Sequence, residues 1–109
     1  MDERRKFPRH DCSFKVCYAT GGIAAIEGST IAKDISKGGV RILVSRIVKK
    51  GHVLHIKIFY AEKNNAVDAV GKVRWVNEGL ATYSPLIDAG LQFTHIKPSE
   101  VDQLLATVK

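Results

Sequence analysis

Two short segments of the chain carry side chains suited to binding phosphates and bases. In the first, Arg5 and Arg9 stand four residues apart, and Arg4 directly precedes them. The arginine fork binds phosphate oxygens, pairs with the O6 and N7 atoms of guanine, and stacks on bases. Pro8 prevents a regular helix and favours an extended backbone before it. Residues 1–12 are therefore predicted to form a flexible basic arm.

The second segment, residues 34–39, reads Asp-Ile-Ser-Lys-Gly-Gly and falls at a predicted turn between two strands. The Asp34 carboxylate can accept hydrogen bonds from the N1–H and the exocyclic amine of guanine, which adenine cannot match. The Ser36 hydroxyl can bind a phosphate or a base, and Gly38 and Gly39 let a flat ring approach the backbone. Each feature alone is common turn chemistry. It is their combination that predicts a binding site.

The charge distribution fits an anionic partner. The 17 Lys and Arg residues outnumber the 11 Asp and Glu residues, for a net charge of +6. Residues 1–57 carry 12 basic and 5 acidic side chains, whereas the remainder carries 5 and 6. Such a one-sided field favours nucleic acid, a nucleotide or a lipid surface, although a merely solvated surface would look the same in sequence.

The elements that must position these residues are strands. Several segments show the two-residue period of half-buried strands. With segment 26–35, which is short, polar and β-branched, the predicted strands are 14–18, 26–35, 39–45, 53–60, 67–76 and 89–94. The fifth places Val67, Val73 and Trp75 together, around a bulge expected at Gly71. Six short strands with short connections predict a mainly β protein, an antiparallel barrel or sandwich.

A C-terminal helix is predicted after the strands, with Ser99 as its N-cap. Its apolar residues fall on one stripe, formed by Val101, Leu104, Leu105 and Val108. We expect this stripe to pack on the barrel, and a partner-binding helix is the alternative. The 109 residues suffice for one domain, comprising the arm (1–12), the barrel (13–97) and the helix (98–109).

Catalysis and metal binding have no support in the sequence. The phosphate-binding glycine patterns of P-loop and dinucleotide folds are absent. Four scattered histidines, with Cys12 and Cys17, offer no metal-ligand spacing, and no nucleophile has an obvious base. There is no apolar run of about 20 residues and no secretory signal. We therefore expect a soluble cytoplasmic protein that is not an enzyme and holds no metal or cofactor.

Taken together, these features resemble the PilZ domain family of bacteria. That family is marked by Arg-x-x-x-Arg followed by Asp/Asn-x-Ser-x-x-Gly. This chain has both motifs complete, in Arg5, Arg9, Asp34, Ser36 and Gly39. The resemblance continues through three later segments and covers nearly the whole chain, so this looks like a stand-alone PilZ protein with the six-stranded antiparallel barrel of the family.

The resemblance implies that the protein binds the bacterial second messenger cyclic di-GMP. By motif position, Arg5 and Arg9 would clamp its phosphates and contact guanine as the arm closes. Asp34 and Ser36 would read the guanine edge, and Gly39 would permit its approach. The motif does not require Gly38, which would help similarly.

Two further residues extend this expectation. Arg4 matches a family variant that tends to bind an intercalated dimer of the ligand. Trp75 is either a second stacking surface or a tryptophan of the core or of the barrel rim. Ordering of the arm would signal to a protein partner in motility, pilus assembly or exopolysaccharide synthesis. The alternatives are a small nucleic-acid-binding barrel, which the few aromatic residues disfavour, and an adaptor that binds no nucleotide.

Overall fold

The structure of the chain, a computed structural model, describes residues 7–21, 25–60, 65–77 and 85–108. The elements within these ranges are β1 (His10–Asp11), β2 (Lys15–Thr20), β3 (Glu27–Ile35), β4 (Gly39–Ser45), β5 (Val53–Phe59), β6 (Ala66–Asn77), β7 (Leu86–His95) and α1 (Pro98–Thr107). Among these residues, no helix is long and apolar enough to span a bilayer. The same residues contain no cluster of three His, Cys, Asp or Glu side chains that could hold a metal ion.

Strands β2 to β7 close into an antiparallel barrel. Their order is β3-β2-β5-β6-β7-β4, and β4 pairs again with β3 to complete the circle. The six-stranded antiparallel barrel predicted from the sequence is thereby confirmed. Strand β1 lies outside this circle, where His10 pairs with Ile35 and Asp11 pairs with Asp34. The predicted arm therefore ends in a short strand attached to the barrel.

Alternating side chains of the strands fill the barrel. Ile42, Leu54 and Ile58 are fully buried, and they come from the alternating runs that the sequence predicts. Leu104 of α1 is also fully buried in this core, while Leu105 and Val108 pack against it. The helix stripe thus packs on the barrel as expected, and this contact removes its apolar side chains from water.

The start of the helix differs from the sequence prediction. Ser99 is not the N-cap, because the cap residue is Lys97, two residues earlier, and the helix begins at Pro98. Proline suits the first helical position because its φ angle is already helical and its missing N–H would have no partner there. Lys97 makes no side-chain capping hydrogen bond, and Glu100 supplies the acidic residue of the first turn.

A register shift between β3 and β4 turns a polar residue out of the barrel. The paired residues change from Ala32 with Ile42 to Asp34 with Arg41, which leaves Lys33 as an extra residue on β3. Directly paired residues share a face of the sheet, so Asp34 lies on the outer face with Arg41. The next residue, Ile35, is fully buried in the core.

A second register shift acts in the same way on β6. Pairing changes from Val73 with Leu91 to Trp75 with Gly90, so Arg74 is the extra residue. Consecutive strand residues normally face opposite sides, but a bulge allows Arg74 and Trp75 to share the outer face. The sequence pattern placed Trp75 beside Val73, and that assignment is wrong because of this bulge.

The register also shifts beside Gly71, where a bulge is expected, but the extra residue is on the facing strand and not at Gly71 itself. Val70 pairs with His95 and Gly71 pairs with Phe93, so the extra residue is Thr94 on the neighbouring strand β7. The Thr94 hydroxyl donates a hydrogen bond to the Val70 carbonyl across this irregularity, at 3.2 Å.

Candidate ligand-binding site

One row of paired residues crosses the outer face of four strands. Asp34 pairs with Arg41, Arg41 with Gly90, and Gly90 with Trp75. A cavity of about 430 Å³ lies over this row. Most of the residues that the sequence predicts for a binding site line it, namely Arg9, Asp34, Ser36, Gly38, Gly39 and Trp75. Arg4 and Arg5 lie outside the described residues.

A carboxylate and a guanidinium define the charge at the centre of the cavity. Asp34 is only 8% exposed as a whole residue, and Arg41 Nε lies 2.9 Å from its Oδ2 atom. Arg41 Nη1 lies 3.9 Å from Oδ2 of Asp88 on β7. A buried carboxylate needs a cationic partner or strong hydrogen bonds to remain in place, and Arg41 supplies the cation.

The turn between β3 and β4 holds Ser36 in a defined orientation. The Gly38 amide donates to the Ser36 hydroxyl oxygen at 3.1 Å, and the Ser36 amide donates to the Gly39 carbonyl at 2.9 Å. The Phe93 amide donates to the Gly38 carbonyl at 2.9 Å, which ties the turn to β7. Because its oxygen already accepts a bond, the Ser36 hydroxyl can offer its proton to an acceptor in the cavity.

Three glycines give the site its close packing. A Cβ atom at Gly90 would lie 2.1 Å from Nε1 of Trp75, so the indole rests over the Gly90 backbone. A Cβ at Gly39 would lie 2.1 Å from the Leu91 carbonyl oxygen. Gly39 is thus required by the approach of β4 to β7, whereas the sequence suggested only ligand access. At Gly38, a Cβ would lie 3.0 Å from the ring of Phe7.

Comparison with known protein families identifies the domain. Residues 3–109, nearly the whole chain, match the sequence profile of the PilZ domain. The chain belongs to the PilZ domain family.

Solved PilZ structures share its fold. The inhibitor of motility MotI/DgrA of Bacillus subtilis has a TM-score of 0.75 and 19% identity, over 96% of this chain and 49% of its own. The PilZ domain of YcgR from Escherichia coli, determined with c-di-GMP, has a TM-score of 0.69 and 12% identity. The match covers 97% of this chain and 89% of the YcgR domain. The MrkH–c-di-GMP complex of K. pneumonia has a TM-score of 0.71 and 16% identity. The match covers 97% of this chain and 50% of MrkH.

This PilZ chain spans about half the length of MotI/DgrA and MrkH. Identities this low establish the fold and nothing finer. No protein of curated function matches the sequence.

The cavity of this PilZ domain has lining residues that sequence reasoning missed. They are Phe7, Arg41, Arg74 and Gln92, among others. Arg41 was detectable, because the alternation in β4 turns it outward two residues after the glycine motif. Arg74 was not detectable, because its position depends on the bulge. The Arg74 Nε group donates to the Gln92 side-chain oxygen on β7.

The balance of charge around this cavity is positive. Arg9, Arg41 and Arg74 line it, against Asp34 as its acidic lining residue among those described. A larger groove of about 990 Å³ lies on the opposite wall of the barrel. Among the described residues there, Glu27 and Asp68 offset Lys57 and leave no excess of positive charge. The smaller cavity is therefore the better site for an anion.

Cys12 lies close to the site, between β1 and β2. Burial is the main cause that raises the pKa of its thiol above the ordinary value. The carboxylates of Asp34 and Asp11 act in the same direction, and a backbone hydrogen bond at Phe14 opposes them. Its Sγ atom donates to the Ala32 carbonyl at 3.5 Å, so Cys12 behaves as a packed neutral thiol.

Proposed function

We propose that this PilZ domain is a receptor for cyclic di-GMP. The observation that carries the proposal is that Arg9, Asp34, Ser36 and Gly39 line one cavity, whose described residues carry more positive than negative charge. Related PilZ structures, of YcgR and MrkH, contain c-di-GMP. The ligand is a dianion with two guanine bases. A site that binds it selectively therefore needs both a hydrogen-bond acceptor for guanine and cationic groups for the phosphates.

The side chains divide this work. Asp34 accepts from the N1–H and exocyclic amine of a guanine, and the Ser36 hydroxyl donates to an acceptor beside it. Arg9, together with Arg5, binds the phosphates. The indole of Trp75, which packs against Gly90, offers a stacking surface for a base.

Arg4 extends the site to a second ligand molecule. Two intercalated molecules of cyclic di-GMP bring four negative charges, and an additional arginine beside Arg5 helps to neutralise them. The expected stoichiometry is two ligands per chain in the wild type and one ligand in Arg4→Ala.

Ligand binding would be transmitted through the arm. Phe7 and Arg9 line the ligand cavity. Pro8 and His10 instead line a second crevice of about 340 Å³, and Leu105 of α1 forms part of the lining of that crevice. Alternate residues of an extended segment face opposite sides. A movement of the arm towards the ligand therefore shifts Pro8 and His10 and changes the shape of the crevice that they line. A protein partner that contacts the arm and α1 would detect this change, with motility, pili or exopolysaccharide synthesis as the output.

The protein acts as a receptor and returns its ligand unchanged. Neither the motifs nor the described residues that line the cavity supply a nucleophile with an adjacent base, and no cofactor or metal is required by the roles assigned above. Since cyclic di-GMP is a bacterial second messenger made inside cells, we place the protein in the bacterial cytoplasm.

Calorimetric titration with three ligands tests the proposal. The wild-type protein should bind cyclic di-GMP with higher affinity than GTP or a short single-stranded oligonucleotide. Equal binding of the oligonucleotide, with a steep salt dependence, would instead support a nucleic-acid-binding barrel. Binding of none of the three would leave an adaptor that works through protein contacts alone.

A further inference from the structure

We propose that Arg41 is a positioning residue that makes the site selective for guanine by fixing the Asp34 carboxylate. This inference rests on the proposed function, since it concerns how the same cavity distinguishes one base from another. Neither the Arg-x-x-x-Arg nor the Asp-x-Ser-x-x-Gly pattern includes this residue.

The first support is the position of Arg41 between two carboxylates. Its Nε atom lies 2.9 Å from Asp34 on β3, and its Nη1 atom lies 3.9 Å from Asp88 on β7. Two different nitrogens of one rigid, planar group thus meet acids on the strands at either side of β4. A lysine ammonium is a single point charge and cannot reproduce this arrangement.

The second support is the location of this arrangement on the ligand side of the barrel. Arg41 and Asp34 are directly paired across β3 and β4, and both line the cavity. The Arg41 side chain is 33% exposed and that of Asp34 is 12% exposed, so the pair lies at the cavity surface with the acid more deeply set.

The third support is that hydrogen-bonding capacity at the pair is not yet used. Although the atoms are at ion-pair distance, Arg41 Nε has no aligned hydrogen-bond partner among the described residues, and neither has the buried Oδ1 atom of Asp88. Arg41 therefore orients Asp34 by charge and contact, and the contact can tighten when a base engages the carboxylate. Hydrogen bonds of binding sites are often longer before the ligand arrives.

Selectivity follows from this orientation. To accept from both N1–H and the exocyclic amine, the carboxylate plane must face the guanine edge with both oxygens. A carboxylate that rotates freely keeps its charge but loses the paired geometry. The loss should therefore appear in the discrimination between bases more than in overall attraction to an anion.

The test compares cyclic di-GMP with its inosine analogue, which lacks the exocyclic amine. We expect the wild type to prefer the guanine ligand by about tenfold or more. In Arg41→Ala and Arg41→Lys the preference should fall towards one, and Asp88→Asn should give an intermediate value. Arg9→Ala should weaken the binding of both ligands about equally, because Arg9 contacts the phosphate, which the two ligands share. Lys57→Ala, on the opposite wall, is the control for loss of one positive charge.

The outcomes separate this inference from the proposed function. A wild-type protein that binds neither ligand would overturn both. Binding by the wild type, with an unchanged preference in Arg41→Lys and Arg41→Ala, would overturn the role of Arg41 alone. If thermal melts show that Arg41→Ala does not fold, the test rests on Arg41→Lys and Asp88→Asn, because each keeps a side chain of similar size. An unchanged preference for the guanine ligand in both of these variants would contradict the inference.

Discussion

The indole of Trp75 rests on the backbone of Gly90, its partner across β6 and β7. A methyl group at Gly90 would fall 2.1 Å from the indole Nε1 atom, well inside contact distance. The bulge at Arg74 brings Trp75 to this outer face, and Gly90 leaves the space for its ring. The two features together build one wall of the cavity.

Gly90→Ala should displace the indole from this wall. Because the chain has a single tryptophan, its emission spectrum reports the change directly. We expect a shift of the emission maximum and a loss of cyclic di-GMP affinity of about tenfold, the equivalent of one lost stacking contact. The control is Gly21→Ala, where an added Cβ meets no atom within 4 Å. Unchanged emission and affinity in Gly90→Ala would contradict the assigned packing.

Gly39→Ala should reduce stability even in the absence of ligand. The added Cβ would lie 2.1 Å from the Leu91 carbonyl oxygen, and a backbone atom cannot move aside as a side chain can. We expect the free energy of unfolding in urea to fall by about 3 kcal/mol, at the upper end for overpacked sites. Gly21→Ala, in contrast, should stabilise the protein by up to about 1 kcal/mol. Equal stability of the two variants would show that Gly39 serves only the ligand.

The strand pattern, the two motifs and the helix stripe could be predicted from the sequence because each is a local signal. The alternation in β4 and β5 reports burial on one face, which the barrel interior satisfies. The bulges at Lys33 and Arg74 could not be predicted, since an extra residue is defined only relative to the partner strand. These bulges turn Asp34 and Trp75 outward, so the site depends on non-local pairing that the motif does not encode.

Gly39 and Ser99 show two other limits. The motif identified Gly39 but not the Leu91 carbonyl that excludes a side chain there. Ser99 has a strong capping preference, yet Pro98 fits the first helical position and moves the cap to Lys97. A capping preference indicates which residues could cap a helix, but the path of the chain in the folded protein decides which residue occupies the cap position.

The thiol of Cys12 should react with iodoacetamide at a higher pH in the folded protein than in the urea-unfolded chain. Its pKa is raised, mainly by burial, so the folded state holds the proton more tightly. The stability this provides is fully present below the ordinary thiol pKa of about 8.5 and is lost as pH rises above it. Cys17→Ser isolates the Cys12 reaction. An equal or lower half-reaction pH in the folded protein would contradict the packing of this thiol.

Cyclic di-GMP should slow hydrogen exchange in the basic arm, residues 1–12. The gain should fall mainly before β1, because the Cys12 amide already donates to the Lys33 carbonyl at 3.0 Å. Exchange in β5, on the other side of the barrel, serves as the internal control. Slower exchange in both regions would indicate general stabilisation by the ligand, and no gain in the arm would rule out its role as a switch.

The most direct test of the account is a calorimetric titration of cyclic di-GMP into wild type, Asp34→Ala and Asp68→Ala. Asp68 makes a suitable control because its side chain is 83% exposed and lies 4.0 Å from Lys57, on the wall opposite the cavity. Both variants lose one negative charge. We expect Asp68→Ala to bind like the wild type and Asp34→Ala to bind at least about 100-fold more weakly, the equivalent of two lost hydrogen bonds to a charged group. Equal affinity in all three proteins, or no binding by the wild type, would contradict the account.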